Sequence, residues 1–173
     1  SNSLTPSESD WIWMNLGGFV PSSFSYCVVE YAQSGIRCNG LDATVSHCTL
    51  RHCTQGAYCL NASPTIEYCD IYDNYDGIHV FSNMGPALPV INYCNIYGNA
   101  DYNLRVVAYP EPGVTIDAEN NWWGTDVEAE IQQEIRDSTD NPDIYATVDY
   151  TPWWSDQPVD ASTWSRIKNL FMN

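Results

Sequence analysis

Short runs of alternating apolar and polar residues follow one another through most of the chain, separated by turn-forming residues. Four of these runs align with a cysteine in fourth place, and they begin at Phe24, Val45, Ile66 and Ile91. The cysteines are 21, 21 and 25 residues apart. A period near 21 residues, with two-residue alternation inside it, is too short for helical repeats and predicts one coil of a parallel β-solenoid.

The second half of each period has its own pattern. A glycine at position 35, 56 or 77 is followed by an apolar residue, an outward residue and a second apolar residue. In the fourth coil Asn103 takes the place of the glycine. Because asparagine, like glycine, tolerates a left-handed backbone, the sequence predicts that this position is left-handed and that the register continues.

Stacked coils lie about 4.8 Å apart, so equivalent residues should form straight columns along the solenoid. The inward columns predicted in this way are Phe24/Val45/Ile66/Ile91, Cys27/Cys48/Cys69/Cys94, Val29/Leu50/Ile71/Ile96 and Cys38/Cys59/Val80/Val106. We predict that the cysteines are small apolar core residues, because parallel side chains in register leave the Cβ atoms too far apart for disulfides. A further column, Ala32/Cys53/Asn74/Asn99, ends in asparagines whose amides should bond one another at a bend.

Two motifs after the repeats extend this pattern. Residues 117–124 read Asp-Ala-Glu-Asn-Asn-Trp-Trp-Gly, and residues 148–153 read Val-Asp-Tyr-Thr-Pro-Trp. With the Pro-x-Ile-x-x-Cys-x-Ile repeats that begin at Pro64 and Pro89, they give residues 11–154 a resemblance to right-handed parallel β-helix proteins of pectate-lyase-like architecture. In that family an Asn-Trp-Trp-Gly signature often closes the repeats. The resemblance implies an all-β fold, a short right-handed parallel β-helix with a small helical C-terminal cap.

The two ends of the predicted solenoid differ. Residues 11–16 predict one more strand at the N-terminal end, where no helix is expected. At the other end, residues 125–128 have the form of a capping box, and Val127, Ile131 and Ile135 would share one face of the helix that follows. We therefore divide the chain into residues 1–154, the β-helix with its cap, and residues 155–173, a linker and a short amphipathic helix over 162–171. A weakly covered end makes self-assembly a hypothesis.

The charge of the chain excludes several partners. Six basic residues against 22 acidic ones give a net charge of −16, which repels nucleic acid and anionic membrane surfaces. No apolar run approaches the ~20 residues of a membrane span, so no membrane insertion is expected. The sequence also lacks the phosphate-binding loop, GxSxG and HExxH motifs.

The outward residues of the coils are the first candidates for chemistry, because enzymes of the resembling fold bind substrate along an outer strand face. The middle residues of successive triplets are Arg37, Tyr58, His79 and Arg105. Arg or His could remove the proton next to a uronate carboxylate and offset the developing charge, as a polysaccharide lyase requires.

Two acidic residues are a second candidate. Asp76 and Asp101 are predicted at equivalent turn positions of adjacent coils, where they could serve a glycoside hydrolase or hold a calcium ion between them. The simpler interpretation is that they stabilise the turns.

Two aromatic columns are candidates for binding. One contains Tyr26, Tyr68 and Tyr93 together with His47, and the other contains Tyr72 and Tyr97. Such rings could contact sugars or a protein, or could only stack on one another along the solenoid.

No complete catalytic set emerges. The sequence therefore favours a non-catalytic, secreted or cell-surface module with a structural, self-assembling or adhesive role, binding a glycan or a protein and needing no cofactor. A carbohydrate-active enzyme that uses Arg37, Tyr58, His79 and Arg105 is the alternative.

Overall fold

The computed structural model describes residues 5–7, 9–17, 22–40, 42–84, 87–109 and 112–156. Within them the strands pair in parallel and form three sheets around one core, so the predicted β-solenoid is confirmed. The helix predicted over residues 162–171 lies outside the described residues, as does most of the preceding linker. The division of the chain after residue 154 stays a prediction.

Each complete coil contributes one strand to each sheet. In spatial order, sheet A contains β1 (Trp11–Leu16), β4 (Ala32–Asn39), β7 (Gln55–Leu60), β10 (Asp76–Phe81), β13 (Tyr102–Ala108) and β15 (Ile135–Arg136). Sheet B contains β2 (Ser22–Ser25), β5 (Ala43–Ser46), β8 (Thr65–Glu67), β11 (Val90–Asn92), β14 (Val114–Asp117) and β16 (Ala146–Asp149). Sheet C contains β3 (Val28–Glu30), β6 (Thr49–Arg51), β9 (Asp70–Tyr72) and β12 (Asn95–Tyr97).

The strand registers confirm the predicted inward columns. Val45 pairs with Phe24 on one side and with Ile66 on the other, and Ile66 pairs with Ile91. The equivalent chains of partners in the other two sheets are Val29/Leu50/Ile71/Ile96 and Cys38/Cys59/Val80/Val106. Nearly all of these side chains are buried, so the period of the sequence translates directly into the layers of the core.

The glycines of the repeats serve a different purpose from the one predicted. Gly35, Gly56, Gly77 and Asn103 are not among the left-handed residues in the described part of the chain. Instead, a Cβ atom on Gly56 would lie only 2.6 Å from the carbonyl oxygen of Gly77. The coils approach each other too closely here for a side chain, and this contact, not a left-handed backbone, selects glycine.

The inward cysteines of the first corner are core residues without disulfides, as predicted, and they also form hydrogen bonds that the prediction did not include. The Sγ atom of Cys69 accepts a hydrogen bond from the backbone N–H of Cys48 at 3.5 Å, and its thiol donates to the carbonyl of Glu67 at 3.3 Å. Cys94 bonds the N–H of Cys69 in the same way at 3.4 Å. None of the seven cysteines forms a disulfide. The column is therefore a ladder of thiols that satisfies buried backbone groups.

Asn121 ends this thiol ladder. Its Oδ1 atom accepts the N–H of Cys94 at 2.8 Å, and its Nδ2 atom donates to the carbonyls of Ile91 and Ala118. The amide thus occupies the place of the next thiol and makes the same kinds of bond. The neighbouring residues of the motif pack tightly, since Trp123 is buried and a Cβ atom on Gly124 would lie 2.8 Å from the Cβ of Tyr97.

The predicted capping box is wrong in its details. The helix α1 spans Glu128–Gln133, and its N-cap residue is Val127, which makes no side-chain cap. Thr125 accepts the N–H of Val127 and donates to Glu130, not to Glu128. Ile131 is fully buried, but Val127 is exposed. Ile135 is buried in β15 and does not belong to the helix, because the helix is only six residues long and ends at Gln133.

Candidate functional site

The outer face of sheet A brings the predicted residues into one line. Arg37 pairs with Tyr58, Tyr58 with His79, and His79 with Arg105. The short strand β15 adds Arg136 as the register partner of Arg105. We call these five side chains the arginine row: Arg37, Tyr58, His79, Arg105 and Arg136. The first four have buried apolar neighbours on both sides, and Arg136 lies between the buried residues Ile135 and Asp137, so the row is directed outward.

Arg37 is held by aromatic rings. Its guanidinium carbon lies 4.5 Å from the ring centroid of Trp13 and 5.6 Å from that of Tyr58. No carboxylate pairs with it among the described residues, and its enclosed Nε atom makes no hydrogen bond there. Arg37 is therefore positioned by cation–π contacts, with its charge still available to a ligand.

His79 is oriented by a buried carboxylate. The Asp76 side chain is 4% exposed, and its Oδ2 atom lies 3.1 Å from Nδ1 of His79. The side-chain amide nitrogen of Gln55 also lies 3.4 Å from Nδ1 of His79. Nδ1 cannot donate to one of these groups and accept from the other at the same time. Because the buried carboxylate needs a donor, we infer that Nδ1 carries a hydrogen and donates it to Asp76. This leaves Nε2 of His79 as the nitrogen that can act on a ligand.

Arg105 lies between the two predicted acidic candidates. Its Nη1 atom is 2.6 Å from Asp101 and 3.5 Å from Asp76. The guanidinium therefore occupies the position between the two carboxylates at which a calcium ion would have to bind. The predicted equivalence of the two positions is wrong, because Asp76 begins a strand and pairs with Tyr102. In the described part of the chain, no three His, Cys, Asp or Glu side chains are grouped as a metal site would require.

Two further groups at this face have altered proton affinities. Burial raises the pKa of Glu134, and the neighbouring carboxylate of Asp101 raises it further. Burial also raises the pKa of Tyr58, although Arg37 acts in the opposite direction. At neutral pH the Tyr58 hydroxyl therefore stays a neutral donor between Arg37 and His79 in the row.

The predicted aromatic columns exist, but their rings cover one another. His47 stacks on Tyr26 and on Tyr68 with centroid distances of 4.7 and 5.1 Å, and Tyr68 stacks on Tyr93 at 5.3 Å. Tyr72 and Tyr97 stack at 5.4 Å. The planes are within about 12° of parallel. Within the columns the flat faces thus contact neighbouring rings, whereas Tyr26, at the end of the first column, is 65% exposed.

The backbone of the first aromatic column is unusual. Tyr26, His47, Tyr68 and Tyr93 all have φ between 54° and 60°, a left-handed conformation that bulky residues rarely adopt. The strain repeats at the same corner of successive coils. Stacking along the column offsets part of its cost, which favours a structural role for these rings.

Sequence reasoning missed three residues of the site. Trp13 lies in β1, next to an irregularity in the pairing with β4. Glu134 and Arg136 come from the cap, after the repeats have ended. The only signal for Trp13 was the predicted strand over residues 11–16, and the sequence carried no periodic signal for the other two.

Comparison with known proteins adds one finding. A family model described as a right-handed beta helix region matches residues 16–127, which include four members of the arginine row. Searches of curated proteins and of solved structures find no match. In the described residues, no helix has the length and apolar character needed to span a membrane.

Proposed function

We infer a binding function for this chain, which belongs to the right-handed β-helix family, from the outer face of sheet A. The chain acts as a non-catalytic, secreted or cell-surface module with an adhesive role. It binds a carboxylate- or sulfate-bearing glycan along the arginine row. The observation that carries this proposal is Arg37, an arginine held between two rings with no carboxylate partner among the described residues.

The distribution of charge supports this function. In a chain of net charge −16, three of the four arginines in the described residues lie in one row: Arg37, Arg105 and Arg136. Acidic residues are abundant enough to pair with every arginine, yet Arg37 contacts aromatic rings instead. A cation kept from internal pairing on an acidic surface favours an anionic ligand.

The thiols are compatible with an extracellular setting. Free cysteines are unusual in oxidising compartments, where exposed thiolates react. Here burial raises the pKa of Cys38 to about 12 and raises that of Cys59 as well. Buried thiols in their neutral form are poor nucleophiles, so these residues would persist without forming disulfides.

Arg37→Gln tests the proposal. We expect it to weaken binding to an acidic glycan about tenfold or more, because one charge-assisted contact of roughly 1.5–3 kcal/mol is lost. Isothermal titration with carboxylated and sulfated polysaccharides at low salt measures this effect. Arg51→Gln is the matched control, since Arg51 lies on sheet C and is paired with Glu30.

Two results would contradict the proposal. One is a wild-type protein that binds no carboxylated or sulfated glycan from a broad panel. The other is a loss of affinity in Arg51→Gln equal to that in Arg37→Gln. Affinity would then depend on the overall charge of the protein and not on contacts with the arginine row.

A second function, a polysaccharide lyase, is favoured by one specific arrangement. The buried Asp76 holds Nδ1 of His79, which leaves Nε2 to take a proton, and the Tyr58 ring meets the His79 ring edge-on at 5.2 Å. In such a reaction His79 would take the proton next to the uronate carboxylate, an arginine would hold that carboxylate, and Tyr58 could protonate the leaving oxygen as the glycosidic bond breaks. The products are a new reducing end and an unsaturated sugar.

The same face can be tested for this chemistry. If the lyase function holds, uronate polymers should gain ultraviolet absorbance from new double bonds, and His79→Ala should reduce the rate at least 100-fold. His47→Ala is the control, because His47 belongs to an aromatic stack on another part of the surface. An absence of product with every uronate polymer tested leaves the binding function alone.

A further inference from the structure

We propose that the arginine row recognises a glycan polyanion at two separate points, Arg37 and Arg136, and so selects ligands long enough to reach both. This inference rests on the proposed function and deepens it. It adds Arg136, a residue of the cap, to the site and sets a minimum length for the ligand.

The three arginines of the row are not equivalent. Arg105 donates a hydrogen bond to Asp101 and forms an ion pair with Asp76, so its charge is already balanced inside the protein. Neither Arg37 nor Arg136 has a carboxylate partner among the described residues. Both are half-buried and face outward on sheet A. The row therefore offers anion-binding groups at its two ends and a neutralised arginine between them.

The charges near the middle reinforce this division. Glu134 lies beside this coil, since its backbone carbonyl accepts the N–H groups of Asn103 and Leu104. Burial and the carboxylate of Asp101 both raise the pKa of the Glu134 side chain. A ligand anion placed at Arg105 would meet Asp76, Asp101 and Glu134. Anionic groups of a ligand are therefore disfavoured at this step and favoured at the ends.

The register gives the length of the site. Four pairing steps separate Arg37 from Arg136, by way of Tyr58, His79 and Arg105. At about 4.8 Å per step, the ends are roughly 19 Å apart. Between them, Tyr58 and His79 offer a hydroxyl and an imidazole, which suit the hydroxyl groups of sugars. A straight polymer with spaced anions fits this pattern, whereas a single acidic sugar can occupy only one end.

A length series tests the proposal. Oligouronates of increasing length, and sulfated oligosaccharides of matched length, are titrated into the wild-type protein. We expect a jump in affinity of about tenfold or more once the ligand can span both arginines, because the second contact then becomes intramolecular. The better series of the two identifies the anionic group as carboxylate or sulfate.

Single variants separate two-point binding from general attraction. With a spanning ligand, Arg37→Gln and Arg136→Gln should each weaken binding about tenfold. With a ligand too short to span, each should cost only about twofold, because one of two independent sites remains. Arg51→Gln should change neither value. Circular dichroism and thermal unfolding confirm that each variant is folded.

The outcomes distinguish this inference from the proposed function. If no anionic glycan binds, the proposed function itself fails. If anionic glycans bind but affinity does not depend on length, or Arg136→Gln binds a spanning ligand like the wild type, only the two-point inference is overturned.

Discussion

Replacing Gly56 by alanine is expected to destabilise the solenoid by about 3 kcal/mol, the upper end of the usual cost of overpacking. The new Cβ atom would lie 2.6 Å from the carbonyl oxygen of Gly77 and 2.9 Å from Cγ2 of Ile71. The first is a backbone atom of the next coil and the second belongs to a fully buried side chain, so neither can move freely. Urea unfolding of wild type and variant, followed by circular dichroism, measures the loss.

Gly98→Ala is the matched control. Gly98 has a left-handed φ of 63°, and the nearest atom to its added Cβ is 4.0 Å away. Residues at the equivalent corner of earlier coils, among them His52 and Asp73, adopt the same conformation without being glycine. We expect a loss of about 1–2 kcal/mol, the cost of a left-handed backbone alone. If Gly56→Ala costs no more than this control, close approach is not the reason for glycine in the repeats.

Columns of the core could be predicted because a solenoid turns distance along the chain into distance in space. Residues 21 positions apart become neighbours, so the alignment of Val45 with Ile66 already contains their contact. Prediction failed where a residue type has two physical uses. Glycine suggested a left-handed backbone at Gly56, and only the distance to Gly77 reveals the close approach.

The candidate site was predictable to the same extent as the repeats. The line from Arg37 to Arg105 follows from alignment alone, because each residue occupies the same place in its coil. Arg136 does not, since it enters sheet A from a two-residue strand after a helix. The partners of Arg105 were missed for another reason: register cannot show that one guanidinium contacts two carboxylates in different coils.

Each coil has two corners at which stacked side chains form a ladder of hydrogen bonds. Cysteine and asparagine occupy equivalent positions in these two ladders. At the first corner three buried thiols lead to Asn121, and at the second Cys53 leads to Asn74 and Asn99. In both ladders a sulfur or amide oxygen accepts a hydrogen bond from the backbone N–H of the preceding coil. The same side chain donates its own hydrogen, from the thiol or the amide nitrogen, to a backbone carbonyl. Hydrogen bonding, and not only small size, therefore selects these residues.

Asn74→Ala is expected to cost about 3 kcal/mol or more. Asn74 accepts the N–H of Cys53 at 3.0 Å and donates to the carbonyls of Leu50 and Tyr72. Its removal leaves buried backbone groups without partners, at about 1–3 kcal/mol each, and opens a small cavity. Equilibrium unfolding in urea measures the loss, and Asn39→Ala, at an exposed position, should change stability by less than about 0.5 kcal/mol.

Asn74→Cys decides whether thiol and amide are interchangeable in these ladders. A thiol at position 74 can accept the N–H of Cys53 and donate to the carbonyl of Tyr72, as Cys69 does for Cys48 and Glu67 at the other corner. We therefore expect it to recover about half of the stability lost in Asn74→Ala. Asn74→Val, close in size but without a hydrogen-bonding group, should recover none. If cysteine and valine prove equal, the thiols of the solenoid serve only to fill volume, and the ladder explanation is wrong.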